Sequence, residues 1–143
     1  MSDVHDPITR SYNMSQIKGK NTKPEILVRK ILHSNGFRYR LHVNDLPGKP
    51  DIVLPKYKTV IFVHGCFWHG HKDCKYFVKP KTNTDWWLNK ISKNIENDKK
   101  NVQILKYNGW EVIILWECEL KPKLFNRTIN TGFFQKIRRN NCY

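Results

Sequence analysis

The opening residues, 1–20, are polar, and Met14 and Ile17 are the apolar pair that one helical face would share. Thr22-Lys23-Pro24-Glu25 then reads as a capping box, with Thr22 at the N-cap, Pro24 in the first turn and Glu25 reaching back. Ile26, Leu27, Ile31 and Leu32 follow at helical spacing, and Gly36 supplies the stop. From Phe37 to Val43, apolar residues alternate with Arg38, Arg40 and His42, which predicts a half-exposed strand. After the turn-rich 44–50 stretch, Asp51-Ile52-Val53-Leu54 and Thr59-Val60-Ile61-Phe62-Val63 read as two buried strands joined by a short turn. Residues 64–83 show no period. A long helix is expected over 84–108, with Leu88, Ile91, Ile95, Val102 and Leu105 on one stripe and Gly109 ending it. Residues 110–116 form a strongly apolar strand, and the basic stretch 121–139 is expected to add one more helix. This order predicts a mixed sheet flanked by helices, in the α/β (α+β) class. The length fits one domain over 1–143, with an N-terminal arm (1–20) and a basic C-terminal tail (119–143).

Charge changes the picture. Lys and Arg number 26 against 12 Asp and Glu, a net charge of +14 on 143 residues. Such a surface predicts a polyanionic partner, because released counterions drive the binding. Nucleic acid leads, and the lack of a basic amphipathic helix with a clean apolar face argues against a membrane. The chain has neither a signal-like N-terminus nor a long apolar run, so a soluble cytoplasmic protein is expected. A core-forming composition of 39% hydrophobic residues needs no disulfide framework.

Two sites of chemistry fall in one loop. Cys66, His71 and Cys74, followed by Cys118, offer three sulfurs and one imidazole, the donor set of a closed tetrahedral Zn²⁺ site. Cys118 alone would read equally as a buried small hydrophobe, but the clustering of the other three favours zinc. Cys142 lies outside the pattern. A closed site cannot activate water, so its role would be to hold the loop. His64 and His69 remain as neutral imidazoles able to accept a proton. If the strands at 51–54 and 59–63 pair through their turn, Asp51 lies beside Val63 and His64. A carboxylate, a strand-end carbonyl and two histidines would make a Mg²⁺-assisted phosphodiester hydrolysis site. Taken singly, Asp51 could be a turn residue, Glu25 a cap and Asp98 part of a solvated helix face.

A family resemblance adds specificity. Asp3-Val4-His5-Asp6, Thr9-Arg10-Ser11, Asn13-Met14, Leu46-Pro47-Gly48-Lys49-Pro50-Asp51 and above all Val63-His64-Gly65-Cys66-Phe67-Trp68-His69 resemble the very-short-patch repair (Vsr) endonucleases. Lys93-Asn94-Ile95-Glu96-Asn97-Asp98 and Trp116-Glu117-Cys118 continue the resemblance, which spans roughly residues 1–118. It implies a restriction-endonuclease-like core and nicking of DNA 5′ to the thymine of a T·G mismatch, the product of 5-methylcytosine deamination. It implies Asp51 and the Val63 carbonyl as Mg²⁺ ligands, His69 as the base activating water, and His64 beside the scissile phosphate. Glu25 and Asp98 become outer groups holding metal-bound waters, and Cys66, His71, Cys74 and Cys118 the zinc ligands. The resemblance also implies a nucleoid-associated monomer acting on double-stranded DNA, with mismatch-repair proteins and a repair polymerase as further partners.

In the same family, Phe67, Trp68 and the aromatic opening the long helix, here Trp87, enter the base stack. Met14 and Ile17 would press from the opposite groove, while Lys90 and Asn94 reach base edges. On sequence alone, packing of Phe67 and Trp68 over the zinc site is an equal alternative. Two other readings compete: a Mg²⁺ nuclease of the same fold without mismatch selectivity, and a non-catalytic zinc-containing DNA-binding module. The module would not need Asp51, His64 and His69 to converge.

Overall fold

The computed structural model describes residues 22–72, 74, 75, 77 and 81–139. Helix α1 spans Lys23–Ser34, and strands β1 (Arg40–Leu41), β2 (Ile52–Leu54) and β3 (Thr59–His64) follow. A long irregular loop leads to α2 (Thr84–Tyr107), β4 (Glu111–Trp116), α3 (Pro122–Thr128) and α4 (Thr131–Arg138). The four strands form one mixed sheet in the order β1-β2-β3-β4. β1–β2 and β2–β3 are antiparallel, whereas β3–β4 is parallel, with His64 opposite Trp116. A parallel pair needs a long crossover, and the loop with α2 supplies it.

The apolar runs that predict buried strands divide by parity between two cores. Ile52, Leu54, Ile61, Ile113 and Leu115 face α1 and α4, packing with Val28, Leu32, Phe134 and Ile137. Their alternates Val53, Val60 and Phe62 face the other way onto Leu105 of α2, with Val112 and Ile114 beside them. A sheet covered on both faces reads as continuous hydrophobic sequence, because neither side chain direction reaches water. The predicted mixed sheet flanked by helices is the observed architecture. Among the described residues, no helix is long and apolar enough to cross a membrane.

Three expectations are corrected. Thr22 is the N-cap of α1, but its side chain makes no cap hydrogen bond. Glu25 instead lies buried, 1% exposed, with Oε1 3.1 Å from His42 Nε2. The strand expected over 37–43 shortens to the two residues Arg40–Leu41, and directly after them His42 takes a positive φ of 50°, which ends the extended run there. The basic tail forms two helices rather than one, since Asn130 opens α4 by accepting a hydrogen bond from the Phe133 N–H. These helices bury Ile129, Phe134 and Ile137, so the tail up to residue 139 is core as well as charge. Met14, Ile17 and Cys142 lie outside the described residues.

Gly70 sets how closely the loop after β3 approaches α2. It has φ +58°, and a Cβ there would meet Ile95 Cδ1 at 2.7 Å and Ile91 Cγ2 at 2.8 Å. Gly70→Ala should therefore cost about 1–3 kcal/mol of unfolding free energy in urea titration, from left-handed strain plus overpacking. An unchanged midpoint would mean that the loop does not rest on α2.

Candidate active site

The site grows from the end of β3. Because β2 and β3 are antiparallel, the start of one meets the end of the other, and the Val63 N–H donates to Asp51 Oδ2 at 2.7 Å. Burial pushes the Asp51 carboxyl up to about 6, the Val63 hydrogen bond opposes this, and the nearby Glu25 carboxylate adds to it. Ligand atoms of Glu25, His42 and Asp51 all lie within 4.8 Å of one another. Two carboxylates sharing a buried spot repel, and a divalent cation between them would remove both the repulsion and the cost of burial. The donor set therefore fits such an ion.

His64 ends β3, and the chain returns in the tight turn 65–70, so that His69 stacks on it. The two imidazoles lie 3.8 Å apart at 4° between planes. Burial, and then the neighbouring His69, lower the His64 ring to about 4, so it is neutral at physiological pH. Its Nδ1 is buried without a hydrogen-bond partner among the described residues. His69 Nδ1 lies 2.6 Å from Asp98 Oδ2 on α2. An ionised carboxylate only accepts, so Nδ1 is the donor of this pair. Asp98 thus fixes the orientation of the His69 ring. The histidine pair and Asp98 open onto a cavity of about 1300 Å³, walled by Ile91 and Ile95 of α2 and Trp116 of β4.

Cys66, His71, Cys74 and Cys118 converge at the far side of the same loop, with all ligand atoms within 4.8 Å. His71 stacks on Trp116 at 4.0 Å and 3°, which fixes its ring, and its Nδ1 lies 3.4 Å from Cys118 Sγ. Burial pushes the Cys66 thiol up to about 12, and burial also raises Cys118. Sulfurs gathered in this way are neutral without a cation and become strong ligands with one. The group fits a tetrahedral metal ion.

The aromatic residues of the loop form a third cluster. Phe67, Trp68 and Trp87 pack mutually, with centroids 5.3 Å apart for Phe67–Trp68 and 5.6 Å for each pair with Trp87. All three are only half-buried. Asn94 donates its Nδ2 to the Trp68 carbonyl at 2.9 Å, so it braces the aromatic loop. Lys90 is exposed, with its Nζ 5.9 Å from the ring centroid of Trp86.

Two residues at this site escaped the sequence reading. His42 occupied an outward position in an alternating run, and no local signal marks its turn towards Glu25. Trp86, 58% exposed, was hidden by its neighbour Trp87; two successive tryptophans opening a helix cannot both face the core, which was the available signal.

Residues 2–76 match the family model described as DNA mismatch endonuclease Vsr. The chain is 54% identical over 127 residues to the type II nicking enzyme V.NmeAIP of Neisseria meningitidis, covering 89% of this chain and 90% of the relative. It is 49% identical over 120 residues to the type II nicking enzyme V.XorIIP of Xanthomonas oryzae, covering 84% and 88%. Against the DNA mismatch endonuclease Vsr of Escherichia coli, identity is 46% over 123 residues, covering 86% and 78%. With the matched segment running through the β2–β3 hairpin and into the Cys/His loop, the chain belongs to the Vsr family of endonucleases.

Proposed function

We propose that this protein nicks double-stranded DNA on the 5′ side of the thymine in a T·G mismatch, and so starts the repair of deaminated 5-methylcytosine. The observation that carries the reading is the adjacency, within one loop, of the Asp98-oriented His69 and the half-buried aromatics Phe67 and Trp68. The Escherichia coli relative is named a mismatch endonuclease, while the other two relatives described above are named only as nicking enzymes.

Asp51 and the Val63 carbonyl would hold the catalytic Mg²⁺, with Glu25 as an outer group. When bound, the ion supplies positive charge to the phosphate as its charge rises towards the transition state. The remaining work belongs to the chain. His69 Nε2 accepts the proton of the attacking water, and Asp98 stabilises the imidazolium that results. His64, kept neutral by burial, lies against the His69 ring and borders the phosphate without adding charge. The Cys66, His71, Cys74 and Cys118 group would hold zinc, with no open position, and thereby fix the ends of the loop. Phe67, Trp68 and Trp87 wedge into the stack, where an imperfect pair lowers the cost of unstacking by a few kcal/mol. Lys90 supplies a donor to base edges. Asn94 supports the wedge through the Trp68 backbone, and Met14 and Ile17 act from the N-terminal arm.

The direct test is nicking of matched duplexes carrying T·G or T·A in varied flanks, with and without Mg²⁺. Nicking confined to T·G with Mg²⁺ is expected, and equal cleavage of T·A would favour the unselective nuclease. In the same assay, Asp51→Asn should lose on the order of a hundredfold or more in nicking rate. Its affinity for the T·G duplex should change by less than about threefold, since phosphate contacts carry binding. Retention of a tenth of parental activity would remove Asp51 from the metal site.

Trp68→Ala deletes one stacking surface, worth about 1–3 kcal/mol. The loss should fall on nicking at T·G and spare salt-dependent binding to matched duplex; equal losses in both would make the ring a core residue.

Elemental analysis should find one zinc per chain. Cys118→Ser should lower both the zinc content and the melting temperature, because structural zinc contributes directly to folding. A zinc-free protein that melts at the parental temperature would contradict the assignment.

A further inference from the structure

We propose that the end of the sheet opposite the active site is a second DNA-binding surface, which grips the phosphates of another duplex segment through Lys56, Lys58 and Lys106. This surface is separate from the nicking reaction and independent of mismatch selectivity. Topology sets it apart from the wedge. β2 and β3 are joined by the turn Pro55–Tyr57, and α2 runs back along the sheet to enter β4 beside that turn. The Glu111 N–H donates to the Lys58 carbonyl at 2.9 Å, so the two connections are tied together. From Thr59 to His64, β3 covers roughly 16 Å at about 3.3 Å per residue. Trp87 and Tyr107 lie about 30 Å apart along α2.

The side chains at this end are held in place, and their charge is one-sided. Lys58 takes a left-handed φ of 48°. Its Cε lies 4.0 Å from where a Cβ on Gly109 would stand, and its Nζ lies 5.0 Å from the Trp110 ring centroid. Lys56 Nζ lies 5.6 Å from the Tyr57 centroid. An ammonium over a ring is restrained yet keeps N–H groups for a further acceptor. Lys106 and Tyr107 close α2, and Tyr107 is 90% exposed. Neither turn contains an acidic residue, and Glu111, which follows, has Lys136 Nζ 3.9 Å from its Oε1.

The chemistry selects duplex DNA as the occupant. Lysine ammoniums and a phenol hydroxyl are phosphate donors, and such contacts carry no sequence information. A single-stranded ligand would call for successive open rings. Here Tyr57 and Trp110 are half-buried against the two cores, which leaves Tyr107 as the ring that stands clear. A protein partner would call for an apolar patch centre, and lysines occupy that place. With one duplex at the wedge and another at this end, the chain passes between DNA segments without first dissociating into solution.

The experiment uses the full-length, zinc-loaded protein and a short matched duplex, without added Mg²⁺. With DNA in excess, analytical ultracentrifugation should find two duplexes on each parental chain. The triple variant Lys56→Gln/Lys58→Gln/Lys106→Gln, with zinc content and melting temperature unchanged, should hold one. Chased with unlabelled duplex over a tenfold range, the parent should release labelled duplex at a rate that rises about threefold or more. In the variant that rate should stay flat, with affinity for the first duplex within about threefold of the parent. A second duplex retained by the variant would overturn the proposal, as would a larger loss of first-duplex affinity, which would put these lysines in the wedge's own footprint. A parent that holds one duplex at every excess of DNA would overturn it too, and would leave an acidic protein as the occupant. Nicking of T·G duplex by the same preparations reports separately on mismatch selectivity.

Discussion

The hydrogen bond from the Val63 N–H to Asp51 is the contact on which the site depends. It joins the residue before β2 to the last turn of β3, and it exists because a short antiparallel hairpin must bring those ends together. Every other functional group is referred to that point. His64 follows Val63 immediately, the 65–71 turn leaves from it, and Glu25 and His42 approach Asp51 from α1 and β1. The carboxylate is also held where burial works against its charge, a cost that a bound cation would offset.

α2 is the second support, and it serves two functions along its length. Leu105 near its C-terminal end is fully buried against the sheet and fixes the helix as core. Earlier along its length the helix carries Asp98 to His69, Asn94 to the Trp68 backbone and Trp87 to the aromatic cluster. Gly70 allows the loop to rest directly on Ile91 and Ile95. The contacts to His69, to the Trp68 carbonyl and to the aromatic cluster therefore share one helix. Trp68 and His69 are joined by a single peptide, so under the proposed function this shared backbone would couple mismatch recognition to hydrolysis.

Much of this was legible in the sequence. The two-sided sheet declared itself in unbroken apolar runs at 51–54, 59–63 and 110–116, and hairpin logic alone set Asp51 beside Val63. The Cys66, His71, Cys74 and Cys118 set was readable from donor chemistry, although Cys118 is remote in the chain. What stayed hidden depended on backbone conformation or on tertiary competition. The Thr22–Glu25 spacing suits a capping box, but burial beside His42 and Asp51 takes Glu25 instead. The alternation over 37–43 predicts a longer strand than forms, because a left-handed residue at His42 cannot be seen in a polarity pattern. The helical offset of Asn94 from Lys90 gave no sign that its amide also bonds the Trp68 carbonyl. The split of the tail into two helices turned on one capping side chain, Asn130.

Under the proposed function, insertion of the aromatic loop and placement of His69 are one event. A fluorescent adenine analogue placed next to the mismatch reports unstacking in real time, while rapid quenching of the same mixture reports the nick. At T·G the fluorescence should rise before any product forms, at a rate at least equal to that of nicking, and at matched T·A neither signal should appear. Product formed at T·G without a preceding rise in fluorescence would contradict the coupling of recognition to hydrolysis.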